Sequence, residues 1–317
     1  MLDRPVSLRF MGDWGAINLT RICGWLAQEV WDHTPGDTRS LIYTGRGNVD
    51  NLRAVAQGEV DVAVVTPSTF AEMALRGRGL FEGEAYPYLR ALGEVPHEDR
   101  LLFAVRQDFG LTSLAEIRDG RVPLRLAISP NDGVSFPGYA AHRVLAGSGV
   151  APEKLEEWGG TILEHERPFE CLDDLEEGRA DAVFHEAVMT PNWQRLTESH
   201  DLAFLSIQPE VLEEVEREFG WRRARVEAGY LRGLDRPVET LDFSGYLVVV
   251  REDMPDDVAH FLTWVLGEKS SGFEAQYRHL PPDRSPLSYP INREKLSRTP
   301  IPLHQAAADY YQQAGSG

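Results

Sequence analysis

Two stretches of the sequence share one pattern: residues 52–65 read LRAVAQGEVDVAVV, and residues 172–185 read LDDLEEGRADAVFH. In each stretch an amphipathic helix ends at a glycine, where a left-handed backbone costs least, and a buried strand begins three residues later. Helix–glycine–strand units recur in many proteins, so this pattern alone leaves a chance likeness open. The matched positions are Leu52, Gly58, Asp61 and Val64 in the first stretch and Leu172, Gly178, Asp181 and Val183 in the second.

The segments that precede the two stretches also match, which favours one unit used twice. Before the first, the apolar run Leu8–Met11 leads into a polar loop and then into Ile17, Cys23, Trp25, Leu26 and Val30 at roughly helical spacing. Before the second, Leu124–Ile128 is a predicted strand, Ser129–Gly133 a loop and Tyr139–Leu145 a helix. Further along the chain we predict strands at 60–65, 101–106 and 243–251, helices at 210–219 and 256–266, and an irregular segment at 281–302.

Strands that alternate with helices predict an α/β protein. We expect two lobes, each with a mixed, mostly parallel sheet flanked by helices, and a ligand cleft between them. The chain is expected to cross between lobes near the strands at 101–106 and 243–251. The predicted division assigns residues 1–104 and 225–317 to lobe 1 and residues 105–224 to lobe 2.

Composition excludes several classes of function. The 317 residues carry 32 Lys and Arg against 50 Asp and Glu, a formal charge of −18 that repels polyphosphate, so we expect neither nucleic acid nor an anionic membrane as partner. The start, Met1–Pro5, has no basic and apolar leader, and no run of 18 apolar residues predicts membrane insertion. As written the chain is predicted to be cytoplasmic, or extracytoplasmic if a leader has been removed. The two cysteines cannot form a metal quartet, and a single bridge between them stays open.

Candidate ligand-binding residues lie in the loops that follow the predicted strands, because ligands of open parallel sheets bind beyond the carboxyl ends of the strands. No HExxH, P-loop, GxGxxG or nucleophile-elbow pattern is present, so we expect no cofactor and no bound metal. The candidates are Asp13, Trp14, Thr44, Gly45, Asn48, Thr66 and Ser68 on one side, and Asn131, Asp132, Ser135, His185 and Glu186 on the other.

Four segments resemble the TAXI-type solute receptors of TRAP transporters. The resemblance runs in the same order over nearly the whole chain: Thr44–Asp61 is similar to the family's "TGGSxENLxxLxxGExDxA", Leu114–Ile117 to its second-lobe entry, Leu247–Val258 to "LVVRxDLPDDV", and Ile301–Tyr311 to "PLHPGAxxYY". It implies a type II periplasmic-binding-protein fold that encloses a small polar metabolite such as an amino acid, organic acid or amine. It also implies the membrane component of a TRAP transporter as partner.

The cleft loops depart from that family because Asp13 and Asp132 lie in loops where it has glycine and hydroxyl residues, and His185 and Glu186 follow the strand after Asp181. Three interpretations stay open: recognition of a cationic ligand, aided by the Trp14 ring; a Mg²⁺, Mn²⁺ or Fe²⁺ site; or acid–base chemistry. A bound anion would instead need a cation, for which Arg46 and Arg167 are nearest in sequence. Asp13 and Asp132 also stand where aspartate commonly caps helices.

The alternative to a solute-binding protein is a cytoplasmic, non-redox enzyme on the same fold. A decarboxylase, lyase or isomerase would use His185 and Glu186 as acid and base, with Asp132 beside them. Of the two classes, the binding protein is the favoured prediction.

Overall fold

The computed structural model describes residues 2–15 and 18–314, and it divides into two compact units. Unit 1 comprises Met1–Glu98 with Ser244–Gly317, and unit 2 comprises Asp99–Phe243. The chain thus crosses between units twice, beside the strands where the sequence predicted both crossings. Ile17, which the helical spacing included, lies outside the described residues.

The first part of unit 1 alternates strands and helices. Its elements are β1 Ser7–Gly12, α1 Asn18–Asp32, β2 Arg39–Thr44, α2 Asn48–Ala56, β3 Val62–Val65, α3 Ala71–Arg76 and β4 Leu89–Val95.

Unit 2 follows as one continuous segment. Its elements are β5 Arg100–Arg106, α4 Leu114–Gly120, β6 Arg125–Ile128, α5 Phe136–Gly147, α6 Pro152–Glu157, β7 Thr161–Glu164, α7 Pro168–Glu176, β8 Ala182–His185, α8 Pro191–Ser199, β9 Leu202–Leu205, α9 Pro209–Phe219, β10 Arg223–Val226 and β11 Val238–Asp242.

The chain then returns to unit 1 with β12 Tyr246–Arg251, α10 Asp256–Glu268, α11 Ser270–Glu274, α12 Arg293–Leu296 and α13 Gln305–Ala314. The short helix α12 shows that the prediction of an irregular segment over 281–302 is wrong for residues 293–296. Asn292 starts this helix because its side chain accepts a hydrogen bond from the Lys295 N–H. Among the described residues, none of the helices is long and apolar enough to cross a membrane.

The two sheets share one core arrangement, which confirms the predicted repeat. Unit 1 has the order β2-β1-β3-β12-β4, and unit 2 contains the matching order β7-β6-β8-β5. In both, the first three strands are parallel and the fourth runs antiparallel. Strands β3 and β8 are buried along their whole length, as strands covered on both faces are.

The predicted glycines take the predicted conformation. Gly58 and Gly178, just beyond helices α2 and α7, both have a φ of 73°. Each unit then repeats one ion pair: Asp61 accepts hydrogen bonds from the backbone and guanidinium of Arg9, and Asp181 accepts the same set from Arg125. The guanidinium groups also donate to the carbonyls of Gly58 and Gly178. Strand β3 begins at Val62, so Asp61 lies just before the strand and not within it, as the predicted range 60–65 had placed it.

The positions 104/105 and 224/225, at which the sequence divided the lobes, fall inside strands β5 and β10 of unit 2. Strand β5 pairs with β8, β9 and β11, and β10 pairs with β11, so both strands belong entirely to the unit 2 sheet.

Each unit has its own apolar core. The core of unit 1 includes Phe10, Ile22, Leu26 and Phe273, and the core of unit 2 includes Leu175, Val183, Trp193 and Leu202.

Candidate ligand-binding site

Asp13 of unit 1 is buried just after β1, and its side chain accepts hydrogen bonds from residues at the start of helix α1. Its carboxylate accepts a 2.7 Å hydrogen bond from the Thr20 hydroxyl and a 3.3 Å bond from the Leu19 N–H. Helix and strand approach so closely that a Cβ on Gly12 would lie 2.7 Å from the Thr20 nitrogen. Trp14, in the same loop, is half-buried.

The loops after β2 and β3 meet at the side chain of Asn48. Its Oδ1 accepts a 3.3 Å hydrogen bond from the Thr66 N–H, which ties the first residue of α2 to the end of β3. Thr44 is exposed and Gly45 is half-buried. A Cβ on Gly45 would overlap the terminal methyl of Met11, so a larger residue here would require the Met11 side chain to move.

Ser68 is fully buried, and its hydroxyl has no hydrogen-bond partner among the described residues. Its backbone N–H donates to the Ser244 carbonyl at 3.0 Å. The next residue, Gly245, has a φ of 85°, and a Cβ there would lie 2.6 Å from the Glu94 Oε1 and 2.8 Å from the Ser68 Oγ. Glycine thus allows these two side chains to converge. A buried hydroxyl without a protein partner indicates that water or a ligand completes it.

Asn51 is a second buried polar group on this side of unit 1, which the sequence analysis did not single out. Its amide donates a 2.7 Å hydrogen bond to the Val64 carbonyl at the end of β3. Its Oδ1 has no partner among the described residues and would lie 3.0 Å from a Cβ on Gly45. The available signal was an amide on the apolar face of α2, between Val49 and Leu52.

In unit 2, the loop after β6 is organised by its own polar side chains. The Asp132 Oδ1 accepts hydrogen bonds from the Val134 N–H at 3.0 Å and the Ser135 N–H at 2.9 Å. The Ser135 hydroxyl accepts from the Gly138 N–H and caps helix α5. Asn131 and Asp132 are exposed. Asp132 therefore shapes the turn that leads into the helix.

His185 is buried and neutral. The Glu186 N–H donates to its Nδ1 at 2.9 Å, so the proton is on Nε2, which donates to the Ser129 hydroxyl at 2.7 Å. Burial lowers the pKa of His185 to about 3. A Glu186 carboxyl oxygen lies 3.8 Å from Nδ1, but this uncharged nitrogen forms no ion pair with it.

Glu186 pairs with Asp99, a residue that the sequence analysis missed. Burial raises the pKa of Asp99 to about 6, although the hydrogen bond with Glu186 and the backbone N–H donors of Arg100, Ala187 and Val188, at 2.7–3.0 Å, lower it. Burial, the Asp99 charge and the hydrogen bond to Asp99 raise the pKa of Glu186 well above its usual range, so Glu186 holds the shared proton. Ala187, which follows Glu186 in the turn and donates its N–H to Asp99, has a φ of 67°. The only sequence signal was an aspartate directly before an apolar strand.

Within the described ranges, no three Asp, Glu, His or Cys side chains are grouped to hold a metal ion. The candidate cations differ in setting: Arg46 is half-buried in the loop before α2, and Arg167 is the exposed residue before α7. The structure thus gathers the loop residues of each unit at the carboxyl ends of its parallel strands. The acidic candidates Asp13, Asp132 and Glu186 make hydrogen bonds to other residues of their own unit.

The sequence matches the NMT1-like family over residues 30–315, which is most of the chain. The chain belongs to the NMT1-like family. Solved structures with a similar fold include PhnD1 from Prochlorococcus marinus in complex with methylphosphonate, with 10% identity, a TM-score of 0.54, and 99% of this chain and 100% of that chain covered. A TctC solute-binding protein from Polaromonas without ligand has 13% identity and a TM-score of 0.52, with 98% of each chain covered.

A third structure, XAC2383 from Xanthomonas citri bound to ATP, has 15% identity and a TM-score of 0.52, with 98% of both chains covered. At these identities the likeness concerns the fold. This NMT1-like protein therefore has the α/β fold of periplasmic solute-binding proteins, with two sheets flanked by helices, as the sequence predicted.

Proposed function

We propose that this NMT1-like protein is a solute-binding protein for a small polar metabolite, and that it takes an organic acid in preference to an amine. The observation that carries the proposal is the Ser68 hydroxyl, which is fully buried at the end of β3 without a hydrogen-bond partner among the described residues. A hydroxyl donates readily to a carboxylate, and such a charge-assisted bond is among the stronger ones in proteins.

The state of the acidic side chains supports the preference for an acid. An ammonium group needs a carboxylate to pair with, yet of the acidic candidates from the sequence Asp13 accepts hydrogen bonds at the start of α1 and Asp132 accepts two backbone N–H groups. Glu94, whose carboxylate lies beside Ser68, is an acidic group outside this set of candidates. Glu186 is the protonated partner of Asp99. The cation-binding interpretation would require these contacts to be broken at a cost in stability.

The proposed ligand contacts are the other candidate residues of the sequence analysis. We assign to them the hydroxyls, amides and backbone groups of Thr44, Gly45, Asn48, Thr66 and Ser68 in unit 1 and of Asn131 and Ser135 in unit 2, with the Trp14 ring as an apolar wall. Arg46 is the cation that we assign to the ligand's charge.

The sequence motifs carry the finer assignment. We propose that the protein is a TAXI-like receptor that works outside the cytoplasm and delivers its ligand to the membrane component of a TRAP transporter. The motifs at 44–61, 247–258 and 301–311 support this, and the fold of its structural relatives agrees with a transport role.

The enzyme alternative gains no support from the geometry. A general base at neutral pH needs a pKa near 7 and access to its substrate. His185 is 1% exposed, its pKa is lowered to about 3, and both ring nitrogens are engaged in hydrogen bonds.

A thermal-shift screen with matched compounds tests the proposal. We expect mono- and dicarboxylates such as succinate to raise the melting temperature by mass action, and amines of equal length such as putrescine to leave it unchanged. Ser68→Ala is expected to weaken binding of the active acid by roughly tenfold or more, since a hydrogen bond to a charged group contributes about 1.5–3 kcal/mol.

Ser271→Ala is the matched control, because it removes an exposed serine hydroxyl on α11 of the same unit. It is expected to bind like the wild type. Stabilisation by amines alone, or equal binding by the Ser68→Ala protein, would refute the preference for an acid. A screen in which no class of compound stabilises the protein would remove the receptor proposal itself.

A further inference from the structure

Strand β2 is an edge strand of the unit 1 sheet. It pairs with β1 in parallel along all of its length, from Arg39 opposite Ser7 to Thr44 opposite Gly12. The Arg39 N–H donates to the Val6 carbonyl at 2.8 Å, so the backbone groups of Ser40, Ile42 and Thr44 face the other way. Within 2–15 and 18–314, no strand pairs with that outer edge.

The middle of β2 exposes three large apolar side chains in a row. Leu41 is 51% exposed, Ile42 41% and Tyr43 46%. Because successive side chains of a strand point to opposite faces, apolar surface is open on both faces of the sheet edge. Trp31, 62% exposed, lies on helix α1, which packs against β1 and β2.

The corresponding edge strand of unit 2 shows that the fold does not require this exposure. Strand β7 occupies the place of β2 in the repeat, and its Ile162 and Leu163 are half-buried between exposed Thr161 and Glu164. Edge strands of soluble proteins are usually protected by charge, proline or a covering element, because an open apolar edge pairs with other strands. The centre of β2 lacks these protections and is therefore open to pairing with another strand.

We propose that β2 pairs antiparallel with β2 of a second copy of this chain, around a two-fold axis that passes beside Leu41. A two-fold axis perpendicular to a sheet places one residue opposite itself, and the interface is then self-complementary. With Leu41 at the axis, Ser40 lies opposite Ile42 and Arg39 lies opposite Tyr43 of the other copy.

This register satisfies both the backbone and the side chains. Ser40 and Ile42 turn their free N–H and C=O groups outward and exchange hydrogen bonds across the interface, whereas the two Leu41 residues form a close pair without hydrogen bonds. The Arg39 guanidinium meets the ring of Tyr43, a cation–π pair that the two-fold axis repeats.

Net charge opposes the association. Each copy carries a formal charge of −18, and long-range repulsion between two such copies weakens as salt screens it. The fraction of dimer should therefore rise as the NaCl concentration is raised from about 50 mM to about 500 mM.

Sedimentation equilibrium of the full chain tests the dimer. We expect a monomer–dimer equilibrium that shifts to dimer with salt. Leu41→Lys puts two like charges opposite each other at the axis and is expected to weaken the dimer at least about tenfold, since like charges directly opposite destabilise a sheet. Thr161→Lys is the matched control, as it adds the same charge at the equivalent exposed position of β7.

Mixing two variants tests the register. Leu41→Lys and Leu41→Glu proteins are each expected to be monomers, and their mixture is expected to form a dimer because the two charges then pair. A wild-type protein that stays monomeric at every salt concentration overturns the proposal, as does a dimer that Leu41→Lys leaves intact. Circular dichroism confirms that each variant is folded, and a mixture that remains monomeric overturns the axis at Leu41.

Discussion

At the scale of single residues, burial decides what the acidic side chains do. The sequence analysis grouped Asp13, Asp132 and Glu186 as candidates for ligand contacts, yet each has a different role in the structure. Asp13 is buried and accepts a hydrogen bond from the first helix, Asp132 accepts backbone hydrogen bonds in an exposed turn, and Glu186 shares a proton with Asp99. Asp99 completes the last of these, because its carboxylate holds the turn after β8 through the Ala187 and Val188 N–H groups. The polar loops of unit 2 are thus positioned by carboxylates.

The shared proton predicts a dependence of stability on pH. The folded-state pKa values of Asp99, about 6, and of Glu186 lie above their unfolded values, so the folded protein binds more protons. Stability that is present below about pH 4 is then lost as the pH rises through 6 and beyond. Glu186→Gln keeps the hydrogen bond to Asp99 without the second ionisation. It should match the wild type at pH 5 and have the higher free energy of unfolding at pH 8, where the folded wild type has to ionise the second carboxyl group.

Urea unfolding at the two pH values measures this difference. Glu213→Gln, which neutralises an exposed glutamate on α9, is the control and should show the same pH dependence as the wild type. If Glu186→Gln destabilises the protein equally at pH 5 and pH 8, the two carboxyl groups do not share a proton.

At the scale of elements, the repeated unit is fixed by one ion pair in each copy. Arg9 and Arg125 each lie on the first parallel strand of their unit, and their guanidinium groups hold the aspartate and the glycine carbonyl that precede the next buried strand. The helix, its glycine and the following strand are thereby locked to the neighbouring strand. This explains why glycine and aspartate recur at the same spacing in residues 52–65 and 172–185.

The two copies of the ion pair should differ in strength. The Asp181 side chain is 9% exposed and that of Asp61 is 28% exposed, whereas the guanidinium groups of Arg125 and Arg9 are similarly exposed, at 42% and 38%. Loss of the more buried carboxylate therefore leaves the backbone N–H that it accepts from with less access to water. We expect Asp181→Ala to lower the free energy of unfolding by about 2 kcal/mol and Asp61→Ala by about 1 kcal/mol.

Urea titration of both variants at pH 7 provides the comparison. Asp181→Asn, which retains an acceptor for the Arg125 N–H groups, should recover part of the loss. A larger effect at Asp61 than at Asp181 would contradict the assignment by burial.

At the scale of the whole molecule, unit 2 is one continuous segment inserted into unit 1. It contains its own sheet and apolar core, and its ends, Asp99 and Phe243, are joined by a hydrogen bond from the Phe243 N–H to the Asp99 carbonyl. Because neighbouring ends and a separate core are the marks of an independent domain, residues 99–243 should fold alone.

Expression of two fragments checks the boundaries. Residues 99–243 should show a cooperative thermal transition and dispersed amide resonances. Residues 105–224 lack most of β5 and all of β11, which supply the centre and one side of the sheet, and should be unfolded. Folding of the shorter fragment alone would show that the sequence placed the boundaries better than the structure does.

The sequence by itself determined the α/β class and the repeated unit, since periodicity, glycine position and the placing of Asp61 and Asp181 after those glycines are local properties of the chain. It also predicted correctly that the candidate loops follow the carboxyl ends of the parallel strands. The ligand contacts and the transporter partner stay predictions.

The tertiary structure alone decided which polar groups are already engaged. The pairing of Asp99 with Glu186 joins residues 87 positions apart in the chain, and the unsatisfied Ser68 hydroxyl is visible only when every neighbour is in place. The open edge of β2 likewise depends on which strands flank it. Burial and hydrogen-bond partners are properties of packing, so the pattern of residue types along the chain could not specify them.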